Sequence, residues 1–155
     1  MTKFSKKLLI TAFLLFLPSC AKDSQVVLVP LTNLRKISFS AEEDMNDKRV
    51  LIVHMVVPKK KELYDELLKM DSQAYFAVNQ QLKTDYPNDL EIFTWEIIPG
   101  SAINDIDIRF SDFRAQGIII FAQYDDSFPG LHKLVLPHQR SVRVLLGRTE
   151  CTMAY

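Results

Sequence analysis

The chain has little of what most chemical sites are built from. Four glycines in 155 residues cannot make a glycine-rich phosphate loop, and Ser127 lacks the GxSxG frame of a nucleophile elbow. The three histidines, His54, His132 and His138, have no cysteine, histidine or carboxylate at metal-ligand spacing. His54 falls mid-strand, where a hydrogen-bonded sheet histidine is expected, and His132 and His138 flank a strand. Two cysteines, Cys20 and Cys151, are too few for a disulfide framework. Nineteen basic side chains balance nineteen acidic ones, which leaves no electrostatic case for nucleic acid. Paired carboxylates do occur at Asp105 and Asp107, on the solvent face of an alternating strand, and at Asp125 and Asp126 in a turn. No cleft with convergent polar groups is nominated. No metal centre, cofactor site or small-molecule substrate site is nominated, and the chain is expected to be a non-enzyme.

What is present begins at the amino terminus. Lys3, Lys6 and Lys7 precede an apolar run over residues 8–17 (LLITAFLLFL). Ten residues are about half of the roughly 20 that a membrane-spanning helix needs, so the run reads as a cleaved signal over residues 1–19. The run ends Leu17-Pro18-Ser19-Cys20. This resembles the bacterial lipobox, with an aliphatic residue three places before a cysteine and a small residue just before it. The resemblance implies a diacylglyceryl and N-acyl lipid, a palmitate-type anchor, on Cys20. Each buried CH₂ contributes ~0.8 kcal/mol, so several chains hold a protein to a bilayer where one holds it marginally. Ala21 follows, and the lack of Asp there resembles the sorting rule for the outer membrane.

Removing nineteen residues from 155 leaves 136, enough for one domain with a core. Three of the nineteen basic residues leave with the signal, so sixteen face nineteen acids and the mature net charge is −3. Residues 20–33 read as a lipidated tether, with a short apolar patch over 26–29 stopped by Pro30. Residues 34–155 read as a β-domain with a helical insert at about 60–86. Ile37 and Phe39 alternate with Lys36, Ser38 and Ser40, as in a half-buried strand. Residues 42–48 (EEDMNDK) have no period and read as an exposed acidic loop. Residues 49–57 (RVLIVHMVV) read as a central strand ended by Pro58. Leu63, Leu67 and Met70, then Tyr75, Phe76, Val78 and Leu82, recur at helical spacing, which predicts two helices joined near Asp71 with Ser72 as N-cap and Pro87 as stop. Strands follow over 90–98, 103–110, 117–124, 131–136 and 140–146, with a Pro99-Gly100 turn and a 125–130 loop. Once Cys20 carries lipid, Cys151 is a lone thiol, expected to be a small, partly buried apolar residue. Seven or so short strands with turn residues between them favour an antiparallel β-sandwich.

The order of these pieces resembles the outer-membrane lipoprotein of bacterial type VI secretion systems, the TssJ (SciN-like) family. They are a lipobox, a first strand (ISFSA), a loop with Asn46, the LIVHMVV strand, a helical stretch with Tyr75-Phe76, the Pro99-Gly100 turn, and Phe113-Arg114 before GIIIFAQYDD. The resemblance implies a transthyretin-like sandwich with a helical insert, held by its lipid at the periplasmic face of the outer membrane. It also implies a structural part in the envelope-spanning complex, by binding the periplasmic region of a TssM-type inner-membrane protein. The family's contact loop falls here on Glu42, Glu43, Asp44, Met45, Asn46, Asp47 and Lys48. Met45 is expected to be the adaptable apolar anchor of that interface. A pilotin-like lipoprotein of another envelope machine is the second reading, and a small periplasmic hydrolase or ligand-binding lipoprotein the third.

Overall fold

A computed structural model describes residues 33–111, 114–128 and 130–154. The signal, Cys20, almost all of the tether and Phe113 lie outside them. Two four-stranded sheets face each other. The first runs β4 (Ala102–Asp107), β1 (Lys36–Ala41), β7 (Ser141–Leu146), β8 (Cys151–Ala154). The second runs β3 (Leu90–Ile97), β2 (Leu51–Pro58), β5 (Ile119–Ala122), β6 (Lys133–Val135). The fold is mainly β, a sandwich with a short helical insert between β2 and β3.

Alternation builds the core. Ile37 and Phe39 of β1 and Val142, Val144 and Leu146 of β7 point inward from the first sheet, against Leu51, Val53, Met55 and Val57 of β2 and Ile120 and Ala122 of β5. The apolar run of β2 is continuous because its other face is covered as well. Val56, Ile119 and Phe121 on the outside of the second sheet pack on Leu63 and Leu67 of α1 (Lys61–Leu67) and Tyr75 and Leu82 of α2 (Ser72–Asp85). Tyr75 stacks on Phe121 with centroids 4.1 Å apart. His54 reaches into this layer and shares a 3.0 Å hydrogen bond with the Tyr75 hydroxyl, so it is the paired sheet histidine expected.

Several expectations change. The N-cap of α2 is Asp71, whose carboxylate accepts from the Ala74 N–H at 2.7 Å; Ser72 is the first helical residue and donates to the His132 carbonyl at 2.7 Å. The expected two-faced strand over 103–110 stops at Asp107 and carries a bulge, with Asp105 at φ 53 and a register break against β1. The bulge brings both Ile103 and Ile106 against the core with two residues between them, which a strict period of two cannot do. Ser38, assigned to solvent by alternation, is buried because its hydroxyl accepts the Asp105 N–H. The sandwich is not wholly antiparallel, since β1 and β7 run parallel from Lys36↔Ser141 to Ala41↔Leu146. Residues 151–154 add an eighth strand on β7, and this pairing buries Cys151 completely.

The topology sorts the connections by end. β1, β3, β5 and β7 all run toward one end, so the connections 42–50, 98–101, 123–132 and 147–150 gather there. The chain enters β1 from residue 33 at the other end, a strand length of about 20 Å away.

Candidate functional site

The loop 42–50 joins β1 to β2 at the gathered end, and its neighbours hold it by the backbone. Glu42 N–H donates to the Leu146 carbonyl at 2.9 Å, Gly100 N–H to the Glu42 carbonyl at 2.9 Å, and Asn46 N–H to the Arg148 carbonyl at 3.0 Å. Asn46 then works through its side chain: Nδ2 donates to the Val50 carbonyl at 3.2 Å and Oδ1 accepts the Asp125 N–H at 3.2 Å. One buried amide thus joins this loop to the β5–β6 connection.

The backbone is unusual. Asn46, Asp47 and Lys48 stand in succession at φ 47, 54 and 61, the left-handed region. Each non-glycine residue there costs roughly 1–2 kcal/mol, least for Asn and Asp. Such strain persists only where surrounding bonds over-determine it, and it concentrates at functional sites. The Asn46-Asp47 pair was the readable signal, since these two residues tolerate this region best.

The loop is not the uniformly exposed strip its composition suggests. Met45 is fully buried, 0 % exposed, in the inter-sheet core, and Asn46 is buried with it. Met45 therefore cannot present its side chain to a partner without leaving the core; it pins the loop to the domain. Glu42, Glu43, Asp44, Asp47 and Lys48 are exposed. Arg148 meets Asp47 at 3.3 Å, and Arg49 meets Asp125 at 2.9 Å. Ser127 and Arg49 donate to the Asp125 carboxylate and lower its pKa to about 2.

Apolar side chains share this end: Val50 (51 % exposed), Ile98 (63 %) and Leu131 (63 %). Their exposure was not expected, because the periods extended the strands over 49–57, 90–98 and 131–136, whereas the strands stop one or two residues short of each of them. Val50 and Ile98 each stand one residue beyond the Leu51↔Ile97 pair that ends the β2–β3 ladder. Beside them a cleft of about 500 Å³ runs between α2 and the β5–β6 connection, lined by Gln73, Phe76, Asp126, Phe128 and Leu131 among others. The gathered end is thus an acidic rim around exposed aliphatic groups on a braced scaffold. That arrangement suits protein contact: apolar groups to desolvate, and charges that set orientation.

The other candidates are dispersed. His132 and His138 sit at opposite ends of β6. His132 Nε2 lies 2.9 Å from the Thr149 carbonyl and must carry the hydrogen there, while the ring stacks on Tyr124 at 4.7 Å. Tyr124 bridges the Gly147 and Glu150 carbonyls at 3.1 and 2.8 Å and ties β5 to the β7–β8 turn. Asp105 pairs with Lys36 at 3.8 Å on an exposed face. Among the described residues no group of three His, Cys, Asp or Glu side chains could hold a metal, and no helix is long and apolar enough to cross a membrane.

No family model matches the sequence, and no curated protein does either. Solved structures do match. Serratia marcescens Lip, a membrane-bound component of the type VI secretion system, is 13% identical over 80% of this chain and 100% of its own, with a TM-score of 0.61. The type VI lipoprotein TssJ1 from Pseudomonas aeruginosa is 20% identical over 77% and 92%, with a TM-score of 0.59. A chain from a structure of the type VI protein TssM C-terminal domain from EAEC is 15% identical over 78% and 97%, with a TM-score of 0.53. At these identities the likeness is one of fold, and the fold of this chain is that of the type VI secretion lipoproteins of the TssJ type.

Proposed function

We propose that this protein is a lipid-anchored structural component of a type VI secretion membrane complex, held at the periplasmic face of the outer membrane by a lipid on Cys20. Its gathered loops would grip the periplasmic region of a TssM-type inner-membrane protein. The observation that carries this reading is the opposition of ends: the chain comes up from the tether at one end of the sandwich, and the strained, braced loop 42–50 projects from the other. A domain tied down at its base offers its far end to a partner spanning the periplasm. The fold shared with Lip and TssJ1 supports the same reading. Within the loop, Glu42, Glu43, Asp44, Asp47 and Lys48 would make the contacts, with Val50 and Ile98 as the apolar centre, while Met45 and Asn46 hold the shape.

Affinity capture from the native envelope tests it. Wild-type protein should retain a TssM-type partner, and Glu43→Lys with Asp47→Lys should release that partner while the domain stays folded. Capture of a secretin instead would favour the pilotin-like reading, and unchanged capture by the double variant would move the contact elsewhere. Cys20→Ser should separately shift the protein from the membrane to the soluble fraction.

A further inference from the structure

Three of the four sheet edges are blunted. β6 and β8 have only three and four residues, and β4 is bulged at Asp105 and carries Asp105 and Asp107. Short edge strands, bulges and edge charges are the usual ways to prevent strand addition. β3 also carries two acids, Glu91 and Glu96, but it is long and regular. Its eight residues pair with β2 without a register break, from Leu51↔Ile97 to Pro58↔Leu90, and they include no proline, glycine or lysine.

The phase of that ladder identifies the open groups. Lys59 N–H donates to the Asp89 carbonyl at 2.8 Å, continuing the register by one pair, so Glu91, Phe93, Trp95 and Ile97 bond to β2. Ile92, Thr94 and Glu96 therefore turn their N–H and C=O groups away from it. Leu90 agrees in phase, with its N–H turned away to the Tyr86 carbonyl at 3.1 Å. Among the described residues, the backbone bonds outside the ladders include none from Ile92, Thr94 or Glu96.

We propose that a second copy of this chain adds to this edge, β3 against β3 in antiparallel register about Thr94, making one continuous eight-stranded sheet. The edge is self-complementary in that register. Thr94 faces Thr94 of the second copy and Ile92 faces Glu96, twice over, giving two bonds at each of three residue pairs, six in all. The intervening non-bonded pairs, where side chains approach closest, are Phe93 against Trp95, again twice. Both rings are only partly buried in the single chain, where Trp95 leans on Phe39 at 5.1 Å and Phe93 meets Phe110 at 6.2 Å. No like charges oppose, since Glu91 falls on Ile97 and Glu96 on Ile92. Any extended peptide could satisfy the backbone; the aromatic cross-pairs and the absence of charge conflict select another copy of this strand.

Oxidative cross-linking of the full chain in the cells that make it tests this. A cysteine at the dyad would face its twin with Cα atoms about 5.5 Å apart, within the 4.4–6.8 Å of a disulfide. Thr94→Cys should give a covalent dimer on a non-reducing gel that is absent from wild type, whose only cysteines are Cys20 and the buried Cys151. Thr152→Cys, on β8, should not. Adding Glu96→Pro to Thr94→Cys removes an outward N–H but no β2 bond, and should slow cross-linking about tenfold or more. The proposal is overturned by a Thr94→Cys chain that stays monomeric, by equal dimer from Thr152→Cys, by a proline variant that cross-links at the same rate, or by an adduct with a different protein. If the proline variant fails to fold, the comparison of Thr94→Cys with Thr152→Cys decides alone.

Discussion

Replacing Met45 by alanine separates the two roles that the loop 42–50 combines. The side chain is 0 % exposed and belongs to the core shared by both sheets, so truncation removes three buried heavy atoms and leaves a cavity. Substitutions of this kind cost 2–5 kcal/mol, and a value of about 3 kcal/mol suits a residue on a constrained loop that cannot easily collapse into the space. For a domain of this length that loss lowers the thermal midpoint by about 10 °C. Met45→Leu, which nearly conserves volume, should cost under about 1.5 kcal/mol. Glu43→Ala, on the exposed side of the same loop, should change stability by about 0.5 kcal/mol or less, and Asp47→Ala should cost about 1 kcal/mol, because alanine tolerates the left-handed backbone at that position less well than aspartate. Thermal and urea unfolding followed by far-UV circular dichroism measure all four. A Met45→Ala midpoint within 2 °C of wild type, on the same ~10 °C scale, would refute the reasoning, because it would mean that the side chain does not fill the core and is free to serve as a surface anchor.

Burial, with Lys83 adding to it, lowers the His54 pKa from 6.5 to about 4. The unfolded chain therefore binds a proton that the native state refuses between those values, and stability falls as pH drops from about 6.5 toward 4, by at most about 3 kcal/mol. His54→Gln should flatten that part of the pH profile in urea unfolding; an unchanged slope would assign it to other groups. Gly130→Ala would place a Cβ 2.5 Å from the Thr149 carbonyl oxygen, so it should destabilise by about 1–3 kcal/mol, read as a lower urea midpoint. The Cys151 thiol, buried and pushed up to about 12, should not react with Ellman's reagent at pH 8 until the protein is unfolded, and rapid reaction of the native state would contradict its burial against the Leu131 carbonyl.

Much of the fold was legible because it is written in periods. The apolar run 51–57 and the alternation at Ile37 and Phe39 identify central strands, and the three-and-four spacing from Leu63 to Leu82 identifies the helices, because each pattern reflects one face turned from water. The bulge at Asp105 was not legible, since a single inserted residue shifts the phase and is stabilised by Ser38 from another strand. The terminal strand was missed because four residues carry too little periodicity to separate from coil. At the candidate site, residues 42–48 were read as an exposed acidic loop with Met45 as its outward anchor, whereas Met45 is buried and Asn46, Asp47 and Lys48 adopt the left-handed region. Charged neighbours on both sides do not reveal that the turn folds one side chain back beneath them.

The sequence alone determined the balanced charge, the scarcity of site-building residues, and the strand and helix periods, and it carries the expectation of a leader ending at Cys20, all properties of adjacent residues and their hydration. Only the tertiary structure decided what depends on residues far apart in the chain. It brought four connections to one end of the sandwich, opposite the end where the chain enters β1; it inserted β1 in parallel beside β7, and among the described residues it left β3 paired along one edge only. Strand direction and pairing are set by which faces can be buried together across the whole domain, and no local window of the chain contains that choice.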